Sequence, residues 1–190
     1  MRLNLGCGLK KMDGWVNVDH SPACEPDSVV DLEQFPWPFP DDAATEVELR
    51  HVLEHLGATP AIYLRIIGEL YRVCAPDARI RIAVPHPRHD DFLSDPTHVR
   101  PVTPQGLELF DQAKNREWAS KGQPNSPLGL YLGVDFAIES VNMRPDQPWR
   151  GDLDSGRLKP AELAVAMRRF NNVIKETEIV LRAVKPGRGS

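Results

Sequence analysis

RLNLGCGLKKMDGWVNVD, residues 2–19, is the stretch whose reading decides the fold. Leu3 and Leu5 alternate with Arg2 and Asn4, the period-two pattern of a strand with one buried face. Gly6-Cys7-Gly8 breaks the run, and Trp15, Val16 and Val18 resume it before an acid, Asp19. A strand, a glycine turn, a second strand and a carboxylate at its tip are the parts of a nucleotide-type site at the carboxyl edge of a parallel sheet. Glycine lets a ligand approach the backbone because no side chain stands in the way. A carboxylate can accept both hydroxyls of a ribose. The alternative reading of Gly6 and Gly8 is a plain strand-ending turn.

Spacing discriminates between ligand classes. A dinucleotide fingerprint has a third glycine, a full helix aimed at the pyrophosphate, and an acid about 20 residues on. Here the next glycine is Gly14, and Asp19 follows Gly6 by only 13 positions. No room remains for a long helix, so a pyrophosphate would lose its best partner, the helix N-terminus. A ligand with a ribose and no phosphate fits better, and S-adenosylmethionine is such a ligand.

LNLGCG, with GWVNVD at 14–19 after it, resembles the first motif of class I S-adenosylmethionine-dependent methyltransferases. Asp31-Leu32, PWPFP (36–40), HVLEHL (51–56), LYRVCAP (70–76), RIRIAVP (79–85) and DPTHVRPVTP (95–104) are similar to further family segments, in the family's order. Together they span most of the first 110 residues. The resemblance implies a Rossmann-like fold, S-adenosylmethionine as cofactor, and methyl transfer as the activity. It implies that Gly6, Cys7 and Gly8 hold the methionine part and Asp19 the ribose. Asp31 and Leu32 would flank the adenine, and the segment from His51 would border the methyl-bearing side. The family's Pro-Gly-Gly is replaced by Pro76-Asp77-Ala78, and aspartate tolerates the left-handed turn better than most residues.

At 190 residues a single domain, 1–190, is expected, with enough chain for a full core. A net charge of −4 argues against nucleic-acid binding through bulk phosphate attraction. Cys7, Cys24 and Cys74 show no metal-type spacing and cannot all pair, which suits a reducing cytoplasm. No apolar run reaches spanning length and residues 1–4 lead straight into a strand, so neither anchor nor signal peptide is expected. The prolines sit mostly in connections, which predicts long, stiffened loops.

Along the chain, Val29–Leu32 reads as a short third strand. Phe35, Trp37 and Phe39 alternate with Pro36, Pro38 and Pro40 in an extended loop that either walls an adenine pocket or caps the sheet edge. Thr45–Arg50 is the fourth strand. Thr59-Pro60 starts a helix, threonine as cap and proline in the first turn, with Ile62, Ile66, Leu70 and Val73 at helical spacing and Pro76 as its stop. Arg79–Val84 is the fifth strand. Thr103-Pro104 opens a second helix to about Ala113. Lys114–Pro127 reads as polar loop, Tyr131–Met143 as a long strand, and Arg144–Lys159 as an inserted loop around Trp149. A helix from Pro160 to about Asn171 precedes a closing strand, Glu176–Val184, expected to run antiparallel. The sum is an α/β, Rossmann-like, mostly parallel seven-stranded sheet with a final antiparallel strand.

One face of that sheet is expected to be poor in helices. Parallel strands covered on both faces read as continuous apolar runs, and these alternate. Only ten residues separate Leu5 from Val16 and nine separate Asp19 from Val29, where a parallel crossover usually takes a dozen or more. In the strand order the resemblance implies, Arg2, Glu46, Glu48, Arg79, Arg81, Glu178 and Arg182 come to lie side by side on that face. Alternating charges of this kind pair across strands, open to solvent or used for self-association.

Methyl transfer from a sulfonium is an in-line displacement, carried largely by positioning and exclusion of water. An oxygen or nitrogen acceptor can still need a general base. His86, His89, Asp90, Asp91, Asp95 and His98 crowd the loop after the fifth strand. From these, His86 and His98 are the candidate bases or acceptor-orienting groups, with Asp95 as partner; a capped turn over 95–98 is the plainer alternative. His51 and His55 have metal-like spacing but no evident third ligand, and HPRHDD (86–91) is the better metal candidate, although no metal is assigned. The expected substrate is a small-molecule or sugar-like acceptor, recognised by residues 85–160. The competing classes are a metal-dependent hydrolase or transferase using the 86–98 loop, and a non-catalytic cofactor-binding protein associating through the bare face.

Overall fold

The computed structural model describes residues 1–185; the last five positions of the expected domain, 186–190, lie outside the described residues. The chain begins with β1 (Arg2–Leu5), β2 (Val16–Asp19), β3 (Ser28–Val29) and β4 (Ala44–Arg50), and α1 (Pro60–Val73) then leads into β5 (Cys74–Pro85). Four short helices follow: α2 (Asp90–Leu93), α3 (Pro104–Glu108), α4 (Gln112–Ser120) and α5 (Leu128–Leu132). β6 (Phe136–Pro145), α6 (Trp149–Asp154), α7 (Pro160–Arg169) and β7 (Ile174–Ala183) complete it. The seven strands form one sheet in the order β3-β2-β1-β4-β5-β7-β6. β7 alone runs antiparallel to its neighbours.

The core lies on one side of this sheet. Leu3 and Leu5, Val47 and Leu49, Ile80, Ile82 and Val84, and Ile179 and Leu181 point into it, alternate residues of four adjacent strands. α1 covers them with Ile66, Ile67, Leu70 and Val73, all buried. Its first turn is fixed as the sequence suggests: Thr59 Oγ1 accepts the Ile62 N–H, and Pro60 occupies a position whose own N–H would be unpaired. Asp77 takes φ 60°, the left-handed conformation that glycine more often supplies.

Among the described residues, no helix lies over β1, β4 and β5 on the opposite side. Arg2 registers with Glu46, Glu46 with Arg79, and Glu48 with Arg81, so these charges share one face. Arg81 reaches diagonally to Glu46 at 2.7 Å, and Arg79 to Glu139 of β6 at 2.9 Å. Connections too short for helices lie across this face instead. Asn4 Nδ2 donates to the Lys10 carbonyl at 3.0 Å and to Asn17 Oδ1 at 2.9 Å, and Arg2 reaches the Gly14 carbonyl. The loop from Cys7 to Gly14 thus takes the place of the first crossover helix.

Several expectations need correction. The third strand is only Ser28–Val29, and Val30–Leu32 is already loop. Trp37 and Phe39 belong to the core, and Trp37 Nε1 donates to the Leu32 carbonyl at 3.0 Å, so of the two readings of this loop the packing one describes these rings. The polar stretch after Ala113 is helical through Ser120. Tyr131 and Leu132 end α5, where Gly133 at φ 67° turns the chain, and the strand starts at Phe136. Within the expected insertion, Trp149 starts α6 and stacks on Phe170 with 6.0 Å between ring centroids.

Candidate functional site

Gly6 and Gly8 both take left-handed φ, 67° and 50°, immediately after β1. A Cβ on Gly6 would stand 2.4 Å from Val52 Cγ2, so the bend can sit against the end of β4 only as glycine. Asp19 closes β2, is 8% exposed, and is held at both oxygens: Oδ2 accepts the Gly8 N–H at 2.8 Å and Oδ1 the Ser21 N–H at 2.9 Å. A carboxylate has about four acceptor positions, so capacity remains for two hydroxyls. Gly6, Asp19, Asp31 and Leu32 surround one narrow cleft of 70 Å³, closed below by Val52 and Leu56. Cys7 is buried, with its thiol pKa raised mainly by that burial, and its Sγ rests 3.4 Å from the Gly8 carbonyl oxygen.

On the other side of the glycine bend a groove of 790 Å³ runs between Leu9–Met12 and the helix-free face, bordered by Glu48, Arg50, His51 and Arg81. A third cavity, of 490 Å³, opens beyond the carboxyl ends of β4 and β5. Ionisable groups dominate its walls: His51, Glu54, His55, Asp91, Asp95, His98, Arg144, Asp146, Arg150, Lys175 and Glu176. His51 borders both of these spaces.

His51 adopts φ 55°, an uncommon conformation outside glycine, and donates its N–H to the Ala83 carbonyl. Its Nε2 lies 2.7 Å from Glu176, which Arg144 also binds. Its Nδ1 lies 3.5 Å from Glu54 Oε1. Glu54 and then Glu176 raise the pKa of His51 against the opposing effect of burial. The Glu54 contact is close enough for that electrostatic effect and too long for a sound hydrogen bond. Both carboxylate oxygens of Glu54, 1% exposed, accordingly have no hydrogen-bond donor among the described residues.

The loop after β5 divides the predicted histidines. His98 faces the cavity, while His86 is not among the groups lining it. His86 accepts the Arg88 N–H at Nδ1, and its pKa is lowered, first by burial and then by Arg88 and His89. His89 is buried, bonded to Asp146 at 2.9 Å, and ties the loop to the end of β6. Asp95 does cap a turn: its Oδ1 accepts the Thr97 hydroxyl at 2.6 Å and the Thr97 N–H at 2.8 Å, which lowers its pKa. Asp95 and His98 are 3.9 Å apart, beyond hydrogen-bond reach. That contact is within ion-pair range, and beside it Thr97 Oγ1, 2.9 Å from His55 Nδ1, links Asp95 to His55. Glu54, Arg144, Arg150, Lys175 and Glu176 escaped the sequence reading as site residues. For Glu54 a signal existed, an acid inside HVLEHL; Arg144, Lys175 and Glu176 arrive through the pairing of β6, β7 and β5, and Arg150 through α6.

The fold is that of the class I S-adenosylmethionine-dependent methyltransferases. A methyltransferase of this dependence from Archaeoglobus fulgidus is similar over 95% of this chain and 85% of its own, with a TM-score of 0.62 and 21% identity. One from Methanosarcina mazei is similar over 97% and 92%, with a TM-score of 0.56 and 14% identity. The [4+2]-cyclase SpnF shares the architecture too, with a TM-score of 0.53, 15% identity, and 97% and 75% coverage. No family model and no curated protein matches the sequence.

Proposed function

We propose that this chain is an S-adenosylmethionine-dependent methyltransferase that methylates an oxygen or nitrogen of a small-molecule or sugar-like acceptor. The observation that carries the reading is Asp19. Two backbone N–H groups hold its carboxylate at the rim of a cleft shared with Gly6, Asp31 and Leu32. That cleft is smaller than the roughly 300–1,000 Å³ of ordinary ligand sites. Only the sugar edge of the cofactor would sink into it, with Asp31 and Leu32 beside the base. The amino-acid end would cross the bend past Gly8 and Cys7 into the neighbouring groove. There Arg50 and Arg81 suit its carboxylate and Glu48 its ammonium group.

The acceptor would occupy the polar cavity beyond β4 and β5, on the side of His51. Its walls mix both signs of charge, which suits a polar or charged small molecule better than an apolar one. Residues 85–160 supply much of that wall, with Lys175 and Glu176 added from β7. His98 and His51 are the groups placed to orient an acceptor or take its proton. The three free cysteines, two of them buried, agree with a reducing cytoplasm, and no helix of the described chain is long and apolar enough to cross a membrane.

Calorimetric titration with S-adenosylhomocysteine tests the reading on the wild type and on Asp19→Ala. Hydrogen bonds to a charged group contribute about 1.5–3 kcal/mol each, so the variant should bind at least about tenfold more weakly. Equal affinity in the two proteins would overturn the ribose assignment, and no binding to the wild type would overturn the function.

A further inference from the structure

Glu54, His55 and His98 converge at the floor of the polar cavity, one ligand-capable atom from each lying within 4.8 Å of the others. Hydrogen bonding assigns the Nδ1 proton of both imidazoles. The Thr97 hydroxyl gives its proton to Asp95, so at the 2.9 Å contact His55 Nδ1 must be the donor to Thr97 Oγ1. His98 Nδ1 faces the Phe92 carbonyl at 2.8 Å, an acceptor only, and must likewise carry its proton there. In the neutral ring this leaves Nε2 as the nitrogen able to bind a metal. This is the arrangement in which metal-binding histidines are held, the far nitrogen donating to a carbonyl or to a carboxylate-backed group.

The third member is Glu54, buried with neither oxygen hydrogen-bonded. A buried carboxylate without donors is costly, and the His51 ring, 3.5 Å from one oxygen, gives it a nearby charge but not the direct bond that a coordinated cation would. We propose that Glu54, His55 and His98 form a three-ligand site for a divalent transition ion of the zinc class, with an open coordination position facing the cavity. Two imidazoles and one carboxylate suit such ions better than Mg²⁺ or Ca²⁺, which take mostly oxygen ligands. Ligands at about 2.0–2.2 Å from one ion stand nearer to each other than these atoms do, so the set tightens on binding. The third ligand is invisible in HVLEHL, because His98 arrives from the loop after β5. The open position would take an oxygen of the acceptor; that role rests on the methyltransferase reading, whereas occupation of the site by the ion does not.

The test uses the full chain without cofactor. Co²⁺ is titrated while visible d–d absorption is followed, and thermal unfolding is recorded with and without Zn²⁺ or Mg²⁺. The wild type should saturate at one equivalent of Co²⁺, and Zn²⁺, not Mg²⁺, should raise its unfolding temperature. Glu54→Gln and His98→Ala should lose the absorption, and His86→Ala, outside the cluster, should keep it. Should the ligand variants fail to fold, Thr97→Val serves instead: losing the support of His55 should weaken Co²⁺ binding about 10–100-fold. No saturable absorption in the wild type, a Zn²⁺ shift kept by folded Glu54→Gln, or Thr97→Val binding as tightly as wild type would each overturn the site. Titration with S-adenosylhomocysteine on the same preparations reports on the cofactor reading separately.

Discussion

His51 concentrates the electrostatics of the candidate site in one side chain. It is held in left-handed φ at the tip of β4, with Glu54 on one nitrogen and Glu176 on the other. Its folded pKa lies above the ordinary 6.5, so the protonated ring is bound more tightly in the folded chain than in the unfolded one. The stabilisation is fully present below the unfolded value and is lost as pH rises through the raised folded value. The difference in unfolding temperature between wild type and His51→Gln should therefore be greatest near pH 6 and shrink by about pH 9. A difference that grows with pH would show that the ring is bound neutral. Glu176 behaves oppositely: its burial is outweighed by the Arg144 hydrogen bond and by His51, its pKa is lowered, and its contribution fails on acidification. In the sequence His51 was legible as a residue at a strand tip. Glu176 was not, because strand order alone does not give the register that sets Glu176 opposite Pro85, at the end of β5 beside His51.

α4 shows what apolar periodicity does not see. No apolar stripe holds it; its buried residue is Asn115, 1% exposed. The amide donates to the Leu109 carbonyl at 3.1 Å and accepts the Leu130 N–H at 3.2 Å, tying the ends of α3 and α5 to the helix between them. Gly129 leaves room for it, since a Cβ there would stand 3.0 Å from Asn115 Oδ1. Asn115→Ala should cost about 1–3 kcal/mol in denaturant unfolding, the cost of leaving buried polar groups unpaired. Ser120→Ala at the exposed end should stay within about 0.5 kcal/mol. An equal effect of the two would mean the amide holds nothing. Of the elements, α1 and the 79–84 part of β5 carry helical and alternating apolar patterns that their packing uses, although the helix ends at Val73 and the strand already begins at Cys74, ahead of the expected stop at Pro76. Those misread, α4, α5 and α6, are short and polar or fixed by a single turn residue, as Gly133 fixes the end of α5.

Across the whole molecule the sheet has two unlike faces, and they carry different energies. Ile80 and Arg81 are neighbours on β5: Ile80 is wholly buried under α1 and its neighbours, and the Arg81 side chain is 44% exposed beside Glu46. Truncating Ile80 to alanine removes core volume and should cost about 2–5 kcal/mol. The Arg81–Glu46 pair sits in water, loses side-chain freedom to hold its geometry, and should show a coupling of about 0.2–1 kcal/mol in a double-mutant cycle. Screening acts on exposed pairs, so that coupling should fall towards zero by about 0.5 M salt, where the Ile80→Ala cost persists. The charges on the open face then fix strand register and keep the surface wetted, while the stability comes from the other side. Self-association through this face would be electrostatic as well, so sedimentation should show any dimer built there dissociating as salt is raised. A coupling above about 2 kcal/mol that survives high salt would instead mean the pair is shielded from water, which only a covered face provides.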